Sequence, residues 1–120
     1  MCSNYKINII LLTKMDEIPI DNLEIDIENY GENEIPNIFY TMSEKVKLLK
    51  TMSNENKLYL YKYYKQSTQG NINIPEPNGW FNFEAKEKYK AWKSVEDTSK
   101  VISMKKYIKK VKELCDFEKI

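Results

Sequence analysis

The sequence predicts an all-α protein: a four-helix bundle in up-down-down-up order, with a long loop between helices 2 and 3 and an acidic N-terminal segment ahead of it. Three observations carry this. From residue 37 onward, apolar side chains recur three and four positions apart, the repeat of a helix with one buried face. The breaks between periodic stretches are short, except for one of about a dozen residues that contains Pro75, Pro77 and Gly79. Charge also divides the 120 residues unevenly: 1–36 hold eight acidic residues and two lysines, whereas 37–120 hold seventeen lysines and ten acidic residues. A chain of this length has room for one core.

The acidic segment, 1–36, is expected to be disordered. Leu23, Ile25 and Ile27 alternate with acidic residues, but a single such strand has no partner to pair with. The apolar run 7–12 contains Asn8. It is too short to span a membrane and falls below the core of a secretory signal, and Lys14, Asp16 and Glu17 follow where small residues would mark cleavage. Cys2 and Cys115 lie near opposite ends and do not form a disulfide framework. A reducing, cytoplasmic setting is the expectation.

The domain proper is placed at 37–120. Phe39, Met42, Val46 and Leu49, spaced 3, 4, 3, predict helix 1 over about 37–49. Ser53 or Asn54 caps helix 2, which runs over about 55–69 and stops at Gly70. The two close prolines exclude a regular helix in the next stretch. Asn82 is the expected cap of helix 3, which carries the segment FEAKEKYKAWKSV. Thr98 or Ser99 caps helix 4, whose stripe is Val101, Met104, Ile108, Val111 and Cys115. Short linkers set helices 1 and 2 antiparallel, and likewise helices 3 and 4. Helix 2 is roughly 22 Å long, and a dozen extended residues reach roughly 40 Å. The long linker can therefore return the chain along the bundle, which permits helices 2 and 3 to run parallel.

The composition narrows the chemistry. The chain has no histidine, the commonest general base and metal ligand. No HExxH, paired CxxC, GxxxxGK[ST] or GxSxG occurs, and Cys115 lies on an apolar stripe with no imidazole to activate it. An enzyme is not expected, nor a metal or cofactor. The basic body points to an anionic partner. All nineteen cationic residues are lysine, which argues against base-specific reading of nucleic acid by guanidinium forks. Tyr63 and Tyr89 read as core filling, Trp92 as a buried anchor, and Lys62, Lys90, Lys93, Lys106 and Lys110 as a solvated face. In LYKYYKQSTQG, residues 60–70, Tyr61, Tyr64, Lys65 and Thr68 share one helical face. Rings interleaved with an ammonium group make a poor core and a good cradle for a planar, anionic ligand. On residue types alone, that reading and a purely structural one both stand.

The same stretch, Leu60-Tyr61 … Tyr64-Lys65-Gln66-Ser67-Thr68 … Gly70-Asn71-Ile72-Asn73, resembles the helix 2 signature LY..YKQAT.GD.N of the acyl-CoA-binding protein family. Lys86-Glu87-Lys88-Tyr89-Lys90-Ala91-Trp92 is similar to that family's KxKWDAW element. Thr98-Ser99 … Met104 … Tyr107-Ile108 … Val111 … Leu114 is similar to its last helix, and Phe39, Val46, Lys47, Leu49 and Lys50 follow its first helix. The resemblance covers about residues 37–115, with four motifs in order.

The resemblance implies the up-down-down-up bundle and a function: binding and carrying long-chain fatty acyl-CoA esters, without chemistry on them, as a cytoplasmic monomer in fatty acid metabolism. By position, it implies that Tyr61, Lys65 and Lys88 hold the 3′-phosphate of CoA and that Tyr64 stacks on the adenine. Lys47 of helix 1 and Tyr107 of helix 4 complete the implied set. Neither nucleic-acid binding nor stable membrane insertion is implied. The rival readings are a helical scaffold domain that has lost the ligand and a basic nucleic-acid-binding module. The chain departs from the family pattern at Ser43, at Ser53 where a proline is usual, at Tyr89 for tryptophan, at Asp97 for glycine, and in a loop over 70–82 that is one residue longer.

Overall fold

The computed structural model describes residues 30–79 and 82–119. Residues 1–29 lie outside the described residues, and with them Cys2 and the expectation of a disordered acidic segment. The described residues form four α-helices and no strand: α1 Ile35–Lys45, α2 Asn54–Gln69, α3 Phe83–Lys93 and α4 Lys100–Glu118. Two compact units are present. One consists of the described residues up to Lys50 together with those from Ile108 onward, the other of Thr51–Tyr107.

In the first unit, α1 begins two residues ahead of its predicted start. Pro36 occupies the first turn, where its missing N–H costs nothing and its fixed φ suits the helix. The buried stripe is therefore Ile35, Ile38, Phe39, Met42 and Lys45, not Phe39, Met42, Val46 and Leu49. After Lys45 the chain tightens into a 3-10 turn, Val46–Leu48, none of whose side chains is buried, and Leu49 is extended. Lys45 sits on the stripe with 9% of its surface exposed. Lysine tolerates such a position because its four methylenes can be buried while the ammonium reaches outward. From α4 the same unit buries Ile108, Val111 and Cys115, as the sequence stripe predicts. The Glu118 carboxylate accepts the backbone N–H of Lys50 at 3.1 Å.

The second unit holds α2, α3 and the first turns of α4. Ser53 caps α2, its hydroxyl accepting the Asn56 N–H at 3.1 Å. Gly70 ends the helix at φ 81°, a conformation that disfavours any side chain. Asn82 stands before α3, but its side chain does not cap it; its Nδ2 donates instead to the Asn78 carbonyl, closing the end of the loop. Ser99 caps α4 through the Ile102 N–H at 3.1 Å. The core is Leu60, Trp92, Val95, Met104 and Tyr107, with α2 and α3 packed against each other.

One polar network ties the end of α2 to the α3–α4 turn. The Trp92 indole N–H donates to Gln66 Oε1 (3.2 Å) and to the Gly70 carbonyl (3.0 Å). Gln66 Nε2 donates to Asn71 Oδ1 and to the Thr98 carbonyl, both at 2.9 Å. Asn71 Oδ1 also accepts the Asp97 N–H at 2.7 Å, and Asn71 Nδ2 donates to Asp97 Oδ1 at 2.9 Å. This double clasp holds Asp97 at φ 71°, where the family pattern has glycine. An aspartate tolerates the left-handed region better than most residues, and here its side chain is bonded locally.

Candidate functional site

A cleft of about 840 Å³ opens between α2 and α3. From α2 it is lined by Asn54, Lys57, Leu58 and Tyr61, which fall on one helical face at spacings of 3, 1 and 3. From α3 it is lined by Phe83, Glu84, Glu87 and Lys88, again one face. Leu58, the Tyr61 ring and Phe83 provide apolar wall. Phe83 is 74% exposed although it is a large hydrophobe, so it leaves apolar surface uncovered at the cleft.

Of the residues singled out in the sequence, Tyr61 and Lys88 meet here. The Lys88 ammonium lies 5.4 Å from the centroid of the Tyr61 ring. It also pairs with Glu84 Oε2 at 3.2 Å, one helical turn back along α3. Lys88 thus presents a positive charge over the Tyr61 ring and beside the Glu84 carboxylate. The charges lining the cleft balance, with Lys57 and Lys88 against Glu84 and Glu87.

Lys65, one turn beyond Tyr61 on α2, lies over the Trp92 ring with Nζ 5.0 Å from its centroid. Trp92 is completely buried, and its two hydrogen bonds fix the indole plane, so Lys65 rests on an immobile platform. Tyr64 stands partly exposed, its ring 5.9 Å from that of the buried Tyr107 and tilted by 52°. Tyr107 therefore backs Tyr64, which remains 38% exposed. Lys47 belongs to the other unit, where its ammonium is exposed and paired with Glu44 at 3.1 and 3.2 Å.

Tyr63 and Tyr89 are half-buried, and Trp92 and Cys115 are buried. Lys62 is half-buried, with Nζ 5.1 Å from the Tyr59 ring and 5.4 Å from the Tyr63 ring, contacts worth roughly 0.5–1 kcal/mol at partly exposed sites. Burial, then the adjacent Tyr59, pushes the Tyr63 phenol above its ordinary value. Phe83, Glu84, Glu87 and Lys57 were not picked out from the sequence. The spacing of Glu84 and Lys88, four apart with the acid first, was the readable signal for their pairing. Among the described residues no group of acidic or cysteine side chains is placed to hold a metal, and no helix is long and apolar enough to cross a membrane.

The sequence profile of a family described as Acyl CoA binding protein matches residues 37–111. Acyl-CoA-binding domain-containing protein 6 of Rattus norvegicus is 49% identical over 67 residues, 56% of this chain and 23% of that protein. Acyl-CoA-binding domain-containing protein 2 of Oryza sativa subsp. japonica is 47% identical over 79 residues, 65% of this chain and 86% of that protein. The chain thus spans less than a third of the curated domain-containing protein 6 relatives. The crystal structure of Oryza sativa Acyl-CoA-Binding Protein 2 superposes with a TM-score of 0.71 at 42% identity, covering 75% of this chain and 98% of that one.

Proposed function

Because the chain belongs to the acyl-CoA-binding protein family, we propose that it binds long-chain fatty acyl-CoA esters at the α2–α3 cleft and carries them unaltered. The observation that carries this reading is the meeting of Tyr61 with Lys88 at a cleft whose wall also includes an uncovered Phe83. A phosphate bonded to Tyr61, Lys65 and Lys88 gains roughly 1.5–3 kcal/mol for each well-formed charged hydrogen bond. Adenine stacked on Tyr64 adds roughly 1–3 kcal/mol. Each methylene sheltered against Leu58 and Phe83 adds up to about 0.8 kcal/mol, so the tail dominates affinity once it is long. Tyr107 belongs to the proposed ligand set chiefly by backing Tyr64, and Lys47 enters it by the resemblance alone.

The carrier role, the cytoplasmic setting, the monomeric state and the link to fatty acid metabolism are parts of the same proposal. The domain that performs it starts with α1, and 1–29 are not required. The test is calorimetry of the full chain with acyl-CoAs of graded chain length, free CoA and free fatty acid. Affinity should rise with chain length and fall sharply when either the CoA or the tail is missing. Equal affinity for palmitate and palmitoyl-CoA refutes the proposal. Binding of none of these ligands favours a scaffold, and salt-sensitive binding of RNA or DNA instead favours a nucleic-acid module.

A further inference from the structure

We propose that Glu84 is an internal competitor for the anion site, an affinity-setting residue whose carboxylate takes Lys88 whenever the ligand's phosphate lets go of it. The inference rests on reading the cleft as an acyl-CoA site. Glu84 and Lys88 stand four apart on α3, acid first, the favourable order for a helical ion pair. Their atoms are 3.2 Å apart, both side chains line the cleft, and the same ammonium lies 5.4 Å from the Tyr61 ring. A phosphate that reaches Tyr61 and Lys88 together must enter beside the Glu84 carboxylate. Two anions on one ammonium repel, so the ligand has to displace Glu84.

The exchange is easy in both directions. The Lys88 and Glu84 side chains are 42% and 84% exposed, and ion pairs this open to water shift equilibria by no more than about fivefold. A phosphate monoester carries roughly −1.5 to −2 charges at neutral pH and outcompetes a single carboxylate. When the phosphate leaves, Glu84 recaptures the ammonium, so Lys88 is never stranded without a counter-ion. Glu84 therefore weakens the hold on the phosphate and speeds release, which suits a protein that must hand its cargo on.

Glu87 provides the internal control. It lines the same cleft and adds one negative charge, but it makes no ion pair among the described residues. Glu84→Gln frees Lys88, whereas Glu87→Gln changes only the general field.

The experiment measures Kd and dissociation rate on the full 120-residue chain, with palmitoyl-CoA and its 3′-dephospho analogue. Wild type, Glu84→Gln, Glu87→Gln, Lys88→Ala and the Glu84→Gln/Lys88→Ala double variant are compared. Thermal unfolding monitors the loss of a favourable acidic group from the first turn of α3. Glu84→Gln should bind palmitoyl-CoA two- to fivefold more tightly and release it more slowly, with no change toward the dephospho analogue. Glu87→Gln should affect both ligands alike and by less. In the Lys88→Ala background, Glu84→Gln should be silent. Weaker binding by Glu84→Gln would show that Glu84 positions Lys88 rather than competing for it. Unchanged binding, or an equal gain for both ligands, would also overturn the inference while leaving the acyl-CoA reading intact. A wild type that binds no acyl-CoA overturns both.

Discussion

Replacing Lys65 by alanine removes one charge but two interactions. The first is with the ligand. A well-formed hydrogen bond to a charged group is worth roughly 1.5–3 kcal/mol, so losing the phosphate contact should weaken palmitoyl-CoA binding about ten- to a hundredfold. The second is internal. Lys65 Nζ lies 5.0 Å from the centroid of the buried Trp92 ring, an arrangement worth roughly 0.5–1 kcal/mol at partly exposed sites. In a small domain, 1 kcal/mol corresponds to a shift of about 4–8 °C in the melting temperature. The alanine variant should therefore melt a few degrees lower, whereas a lysine facing only solvent would leave Tm unchanged. Lys65→Met separates the loss of the charge from the loss of the stem, because it retains much of the aliphatic stem and loses only the charge. Calorimetry with palmitoyl-CoA and its 3′-dephospho analogue reads the ligand arm. Wild type should prefer the phosphorylated form, and both variants should nearly lose the preference. If Lys65→Ala still discriminates as strongly as wild type, Lys65 does not hold the 3′-phosphate. If neither variant changes Tm, the contact with Trp92 contributes nothing.

Phe83→Ser should cost roughly 1–2 kcal/mol, about five- to thirtyfold, in palmitoyl-CoA affinity and little for a short-chain ester, because the side chain is largely exposed until a tail covers it; equal losses across a chain-length series would refute its role as a wall for the tail. Trp92→Phe leaves Gln66 Oε1 and the Gly70 carbonyl without their indole donor and should destabilise by about 1–3 kcal/mol in urea unfolding; a change within 0.5 kcal/mol would show that the network is dispensable. The raised Tyr63 phenol favours the neutral form in the folded state, so its contribution is complete below pH 10 and is lost as pH climbs from there through the raised value. Tyr63→Phe should accordingly flatten the alkaline fall in Tm above pH 10, and an unchanged slope would contradict the burial that raises this phenol.

What the amino-acid order determined by itself is local. The stripe on α4, the Ser53 cap, the stop at Gly70 and the shared face of Tyr61, Tyr64 and Lys65 depend only on the pitch of one helix and the chemistry of its ends. The Glu84–Lys88 pair was legible for the same reason, since four residues make one turn. The start of α1 was missed because periodicity read from Phe39 ignored Pro36, which opens a helix as readily as it ends one. Which faces meet was decided only by tertiary structure. Lys88 comes to Tyr61 from another helix, Lys65 settles on Trp92, and Gln66, Asn71 and Asp97 close a network around the indole. Asn82 bonds to Asn78 instead of capping α3, and Lys45 lies in a buried stripe. Exposed ion pairs and cation–π contacts are each worth only about 1 kcal/mol or less, so a long side chain has no strongly preferred partner of its own. The choice among partners falls to whichever backbone the packed core brings within reach, and helical period carries no record of that.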